Sequence, residues 1–230
     1  MSVIAIITAR GGSKRIPKKN IKDFCGKPII AYSIQAALDS GIFDHVMVST
    51  DDEEIAEIAR KYGAEVPFMR SAKTASDFAT TRDVLEEVIQ KYNEMGENIE
   101  YFCCIYPCAP FITGKKLKDG FALLKEKKAS MAHPVIRFSF PPQRGYILED
   151  GYLKFKFPEF TNAPRTQDLE PMYHDCGQFY FHDKKAFDLG AKEMREKVVP
   201  IYVPETEAQD IDNQEDWEIA EIKYMRMINK

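Results

Sequence analysis

No stretch of these 230 residues approaches the ~18 consecutive apolar positions that a membrane-spanning helix needs. The first apolar run has no charged segment ahead of it, is shorter than a signal h-region and continues straight into basic residues, so a secretion leader is not expected. Cysteine is scarce and odd in number (Cys25, Cys103, Cys104, Cys108, Cys176), with no C-x-x-C pair and no histidines at zinc spacing. That argues against a disulfide framework and a structural metal, and fits a reducing, cytoplasmic compartment. A basic excess is missing too. With a net charge of −4 and a pI near 5.7, the chain is not expected to bind nucleic acid, which calls for positive charge over a whole face. Internal repeats and low-complexity segments are absent, and tryptophan occurs once, at Trp217. Two familiar nucleotide signatures are lacking. No Gly-Lys-Thr/Ser follows a second glycine, as in a Walker loop, and no G-x-G-x-x-G opens into a helix, so an ATPase and a plain NAD enzyme both lose ground.

What is present begins with Val3-Ile4-Ala5-Ile6-Ile7-Thr8-Ala9, an unbroken apolar, largely β-branched run of strand length. It delivers Arg10-Gly11-Gly12-Ser13-Lys14-Arg15-Ile16-Pro17-Lys18-Lys19-Asn20. Two consecutive glycines let the backbone turn sharply and bring its N–H groups close to a ligand. Arg10, Lys14, Arg15, Lys18, Lys19 and Lys22 follow with no acid before Asp23. In a chain of net negative charge this positive field is local. A solvated basic loop has the same composition, but ligands of open α/β sheets sit at the carboxyl ends of strands, and that position favours a phosphate site.

The rest of the chain alternates. Pro28 to Leu38 predicts a helix with proline in its first turn and Gly41 beyond its end; Val46 to Thr50 predicts a strand, and Asp51-Asp52-Glu53-Glu54 opens a helix with Ile55, Ile58, Ala59 and Tyr62 on one face. A short strand around Ala64 to Phe68, a helix from Thr81 to Glu94, a buried strand from Tyr101 to Tyr106 and a helix marked by Leu117, Phe121 and Leu124 continue the rhythm. This predicts a three-layer, Rossmann-like α/β nucleotide-binding domain with a mostly parallel sheet. At 44% hydrophobic, residues 1–230 suffice for one such domain. From Arg137 the texture changes. Phe138-Ser139-Phe140-Pro141-Pro142 breaks regular structure, and Gly145 to Phe155 reads as strand, Asp-Gly turn, strand, a hairpin too apolar to be a free loop. Gly177 to Phe181 and Val198 to Val203 return to the sheet, and a last helix spans Gln214 to Met227.

Asp210-Ile211-Asp212 is the second charged feature. In extended backbone residues i and i+2 project to one side, so both carboxylates can face one cation while Ile211 is buried behind them. Mg²⁺ is commonly held by one or two carboxylates with phosphate oxygens completing its shell. Asp212 followed by Glu215 also reads as a capping box, and the residues alone leave both readings open. Read by itself, Thr74 to Thr81 is a Ser/Thr/Asp-rich helix start. Cys176 carries no independent signal of a nucleophile, since adjacency to His174 does not place a base.

Ala9 to Asn20 resembles the signature loop of the cytidylyltransferases that make CMP-activated nine-carbon acid sugars, the CMP-sialic acid synthetase family, and the resemblance covers nearly the whole chain. Asp210-Ile211-Asp212-Asn213-Gln214-Glu215-Asp216-Trp217 matches the family's D-I-D-x-x-x-D-W pattern, and Thr74 to Thr81 resembles its base- and ribose-binding turn, with Arg70 matching a triphosphate-side arginine. Where sialic acid enzymes have glutamine in L-Q-P-T-S-P, this chain has Tyr106. Arg165 to Tyr180 is most similar to the pseudaminic acid branch, with His174 where sialic enzymes usually carry arginine and Cys176 where they carry asparagine.

The resemblance implies a GT-A-like nucleotidyltransferase fold, CMP transfer from CTP to a nine-carbon acid sugar, most closely pseudaminic acid, and Mg²⁺ bound by Asp210 and Asp212. It implies a homodimer formed through the excursion, residues 137–170, which would also contact the sugar. Arg10, Lys14 and Lys19 would act with the two aspartates. Ala9, Arg10, Gly11, Gly12, Ser13, Asn20, Arg70, Thr80 and Thr81 would hold the nucleotide, and Tyr106, Arg165, Gln167, Tyr173, His174 and Gln178 the sugar. Two alternatives stay open: transfer to N-acetylneuraminic, legionaminic or 3-deoxy-manno-octulosonic acid, and a metal-dependent nucleotide-sugar glycosyltransferase, whose Asp-x-Asp site normally lies mid-chain.

Overall fold

The computed structural model describes residues 2–162 and 165–229. Its first half runs β1 (Ser2–Thr8), β2 (Asp23–Phe24), β3 (Lys27–Pro28), α1 (Ile30–Ser40), β4 (His45–Ser49), α2 (Glu53–Lys61), α3 (Ala72–Ala75), α4 (Thr81–Glu94), β5 (Ile99–Ile105) and α5 (Gly114–Lys127). Then come β6 (Met131–Arg137), β7 (Tyr146–Glu149), β8 (Tyr152–Phe155), β9 (Tyr173–Asp175), β10 (Phe179–Asp183), α6 (Lys184–Leu189), α7 (Ala191–Met194), β11 (Val198–Tyr202) and α8 (Gln214–Ile228).

The apolar run of β1 determines the layering, because alternate side chains leave opposite faces of a strand. Ala5 and Ile7 pack with Ile30, Ile34, Leu117 and Phe121 of α1 and α5, whereas Ile4 and Ile6 pack with Leu85, Val88 and Ile89 of α4. The result is three layers around a sheet of order β11-β6-β10-β5-β1-β4, with β9 paired to β6. Strands β4, β1, β5, β6 and β11 run one way and only β10 and β9 oppose them, so the sheet is mostly parallel. From β1 the chain steps first to β4 on one side and then to β5 on the other. The carboxyl ends of β1 and β5 thus form a topological switch point, the crevice where such sheets bind ligands.

Local chemistry ends the helices largely as expected. Gly41, at φ 58, closes α1; Asp52 accepts from Ile55 N–H at the start of α2; Thr80 and Asp83 form a capping box on α4. Three details differ. Pro28 lies in β3 and α1 starts at Ile30. The strand expected at Ala64 to Phe68 is a single bridge, Met47 to Glu65, because Pro67 has no N–H to continue a ladder. The capping box expected at Asp212 and Glu215 falls one residue later, on Asn213 and Asp216.

The 137–170 excursion carries the hairpin β7-β8, turned by Asp150 (φ 52) and Gly151 (φ 80) as a two-residue Asp-Gly loop requires. Its apolar side chains do not fold back onto the sheet. Leu148, Tyr152 and Leu153 are 74%, 75% and 68% exposed. Ala163 and Pro164 of this excursion lie outside the described residues.

Candidate active site

Two segments almost two hundred residues apart meet at the switch point because they share a core. Ile16 of the basic loop, Phe24, Ile211 and Trp217 are all buried in one cluster, with the Phe24 and Trp217 rings edge-on at 5.5 Å. Burying Ile211 turns its two aspartate neighbours outward. Lys19 Nζ then donates to Ile211 O at 2.7 Å and ties loop to loop. Between them lies a cavity of about 390 Å³ whose walls include Arg10, Lys14, Lys19 and Asp210. A second, of about 310 Å³, lies toward α4 and is lined by Arg70, Asp77, Thr80 and Thr81. Tyr106, at the end of β5, borders both.

The loop's cations all have partners from distant segments. Arg10 and Lys14 both reach Asp77, at 2.9 and 2.5 Å, and Arg15 pairs with Asp212 at 2.7 Å. Lys14 first, and then Arg10, hold the Asp77 carboxyl below its ordinary range. Two cations sharing one carboxylate keep a surplus of positive charge, and the partner of Lys19 is an uncharged carbonyl. Among the described residues, the exposed Asp210 carboxylate has no ion pair or hydrogen bond. A polyanion seated here meets several cations on one side and one unengaged carboxylate on the other. Triphosphate with a divalent ion has that charge pattern.

Gly11 is required by crowding and not by a positive φ. A Cβ there would lie 2.7 Å from Asp52 Oδ2 and 2.9 Å from Asp52 Cβ, while Gly12 faces open space. The Gly11 N–H donates to Asp51 Oδ1 at 2.9 Å. Alanine at position 11 is expected to push Asp52 off the α2 cap, a loss on the order of 1 kcal/mol. Scanning calorimetry should show this as a fall in Tm of about 2–4 °C; an unchanged Tm would mean the loop moves aside without cost. The left-handed residue of the loop is Lys18, at φ 51.

The other expected nucleotide residues divide between wall and brace. Ser13 and Asn20 line the first cavity, but Ser13 Oγ donates to Ile16 O, and Asn20 is buried, donating to Arg10 O at 2.9 Å and accepting from Cys108 Sγ. Ala9 is buried with its N–H on Ser49 O. Arg70 is also buried, donating to Ser49 Oγ and Ser49 O at 3.1 and 2.6 Å; burial lowers its pKa, against the pull of Asp51 and Glu87. Thr80 spends its hydroxyl on Asp83.

On the expected sugar side only Tyr106 borders these cavities. Gln178 is buried, donating to Glu207 O and accepting the Tyr106 N–H on its carbonyl, so it braces the Tyr106 loop from behind. Tyr173 packs on Tyr202 with ring centroids 5.2 Å apart, and His174 lies 4.6 Å from the Phe138 ring. Arg165 pairs with Asp168, and Gln167 lines a separate hollow beside Phe138 and Met172. Arg165 and Gln167 therefore lie on the excursion, and Tyr173 and His174 on β9, where the chain rejoins the sheet. The Cys176 thiol is pushed up to about 12 by burial and by Asp175, so it stays protonated at neutral pH. Asp77 and Asp51, to which sequence reasoning gave no part in the loop, hold it in place; the one sequence sign was an acid in a polar turn facing a run of cations.

Comparison with known proteins bears on this geometry. A family model described as Cytidylyltransferase matches residues 4–140. Two pseudaminic acid cytidylyltransferases from strains of Campylobacter jejuni are 38% and 39% identical to this protein, each over 97% of this chain and 97% of theirs. A solved CMP:2-keto-3-deoxy-manno-octonic acid synthetase complexed with CTP superposes with a TM-score of 0.69 over 100% of both chains at 17% identity, a likeness of fold. By the match of residues 4–140 and by the identity that extends along almost all of it, the chain belongs to the cytidylyltransferase family.

Proposed function

We propose that this protein transfers CMP from CTP to pseudaminic acid, giving CMP-pseudaminic acid and pyrophosphate. The observation that carries the reading is the cavity at the β1/β5 switch point, where Arg10, Lys14 and Lys19 face the unengaged Asp210 carboxylate, in a chain aligned almost end to end with pseudaminic acid cytidylyltransferases. The anomeric hydroxyl of the sugar attacks the α-phosphorus in line. A bond forms from the anomeric oxygen to phosphorus, the bond to pyrophosphate breaks, and the hydroxyl proton passes to solvent water. In such a reaction the protein mainly positions the partners and neutralises developing charge.

Arg10 and Lys14 hold the phosphates by exchanging Asp77 for them, and Lys19 stabilises the leaving pyrophosphate. Gly11, Gly12, Ser13, Asn20 and Ala9 shape the loop under the nucleotide; Arg70, Thr80 and Thr81 flank it from the α4 side. Asp210 and Asp212 fit Mg²⁺ as a two-carboxylate donor set. No group of three or more His, Cys, Asp or Glu able to hold a metal occurs among the described residues, so phosphate oxygens and water would supply the remaining positions. When bound, the ion would polarise the phosphate and offset its charge. Tyr106 receives the sugar, and the Arg165, Gln167, Tyr173 and His174 strip is assigned to its far side, along the excursion and β9.

No helix among the described residues is long and apolar enough to cross a membrane, and we assign the reaction to the cytoplasm, where CTP is made. The exposed apolar hairpin is assigned to a homodimer interface, since a hairpin of this composition gains by burial. Tyr152→Asp is then expected to yield monomers of lower activity, because an unpaired charge in an apolar contact is unfavourable. Light scattering that still shows dimers would move the interface elsewhere. The function itself is tested by incubating the protein with CTP, Mg²⁺ and single acid sugars while following pyrophosphate release. Release with pseudaminic acid supports the reading, and release with none of the acid sugars sinks it.

A further inference from the structure

Arg10 borders both cavities of the site, while Lys14 lines the first and Asp77 the second. The Asp77 carboxylate reaches across between them, its Oδ1 accepting from Arg10 at 2.9 Å and its Oδ2 from Lys14 at 2.5 Å. A phosphate chain that engages both cations must take the place of this carboxylate. The turn that carries Asp77 is fixed at its base. Glu87 of α4 accepts from the Ser71 N–H at 3.0 Å, from the Thr74 hydroxyl at 2.8 Å and from the Ser71 hydroxyl, and Ser71 caps α3. The tip stands in solvent. Asp77 is half exposed and its neighbour Phe78 is 95% exposed, so the carboxylate can swing out without disturbing the core.

A carboxylate in this position can act in either of two opposite senses. Holding the cations in their working positions before nucleotide binds would raise the affinity for CTP, whereas competing for them would lower it. The charge count favours competition. Lys14 first, and then Arg10, keep the Asp77 carboxyl below its ordinary range, so it is ionised at neutral pH, with one negative charge set against two cations. Arg10 donates to it end-on through Nη1, where a phosphate can take two guanidinium nitrogens at once. Pyrophosphate and triphosphate therefore displace the carboxylate, and it regains the cations when they leave. Both ion pairs are exposed and individually weak, which makes the exchange ready in each direction. When a group of the protein itself occupies what a ligand needs, the apparent affinity falls in proportion to the fraction of molecules in which those cations are free.

We propose that Asp77 is a positioning residue that acts through Arg10 and Lys14 as an internal competitor of phosphate: its carboxylate holds the two cations before nucleotide binds, yields them to the triphosphate of CTP and recaptures them as pyrophosphate leaves. This role rests on the reading of the two cavities as a CTP site. The test measures the binding of CTP and of pyrophosphate, each with Mg²⁺, by isothermal titration calorimetry on the wild type, Asp77→Asn, Asp77→Ala and Asp77→Glu. Asparagine and alanine remove the charge by two routes, and glutamate keeps it. Both ligands are expected to bind the asparagine and alanine variants roughly 2–30-fold more tightly than the wild type, the range that two exposed ion pairs permit, with the glutamate variant close to wild type. Loss of a merely structural contact does not tighten binding. Pyrophosphate affinity that is unchanged or lower in either uncharged variant, or that rises equally in the glutamate variant, overturns the role of Asp77 and leaves the CTP site standing. A wild-type protein that binds neither CTP nor pyrophosphate overturns the reading of the site itself.

Discussion

Asp210→Asn is expected to lower kcat by at least ~10³-fold, because it removes a charge that must counter the triphosphate through a bound cation. The structure makes the effect separable from stability. Asp210 is exposed and its carboxylate has no partner among the described residues, whereas Asp212 is held by Arg15 at 2.7 Å and the α8 cap belongs to Asn213 and Asp216. The variant should thus melt with the wild type while losing both turnover and the binding of Mn²⁺ in the presence of CTP, read by electron paramagnetic resonance. Near-normal activity would return Asp210 to the surface. Asp212→Asn, in contrast, also breaks an ion pair at the surface, a contact worth at most ~1 kcal/mol.

The second large effect concerns the acceptor. Pseudaminic acid is expected to be used with kcat/KM above that for N-acetylneuraminic acid by up to ~10⁴, since a pocket built to hydrogen-bond one stereochemical pattern leaves its own polar groups unpaired with another. Tyr106 is central because it borders both cavities. Burial raises the pKa of its phenol, which therefore remains a neutral donor where sialic enzymes present a carboxamide. Tyr106→Gln should narrow the ratio, and His174→Arg should weaken the pseudaminate reaction without abolishing CTP binding. Comparable kcat/KM values for the two sugars in the wild type would remove the acceptor assignment and leave the nucleotidyl-transfer class standing.

Local physics made much of this legible in advance. The β-branched run of β1, the helix from Thr81 to Glu94 and the Asp-Gly turn of the hairpin are each governed by residues within a few positions of one another, and each lies where the pattern places it. The strand expected at Ala64 to Phe68 failed on one residue, Pro67, whose missing N–H outweighs the apolar character of its neighbours. Harder to foresee were relations set by tertiary packing. Nothing local to Asp77 says that it will sit between Arg10 and Lys14, and nothing near His182 says that its ring will be buried. The direction of His174 was out of reach for the same reason: it depends on β9 pairing with β6, which turns the ring toward Phe138.

The cluster that joins the basic loop to the aspartate segment contains the chain's one tryptophan. Trp217 is 2% exposed, and Lys22 Nζ lies 4.5 Å from its ring centroid. The indole thus sits at the joint between the two halves of the site, so its emission is a built-in optical gauge of that joint. Blue-shifted in the intact protein, it should respond when the loop shifts on nucleotide binding and move to the red when α8 undocks. Site assembly can then be followed in real time, without a label and without any turnover.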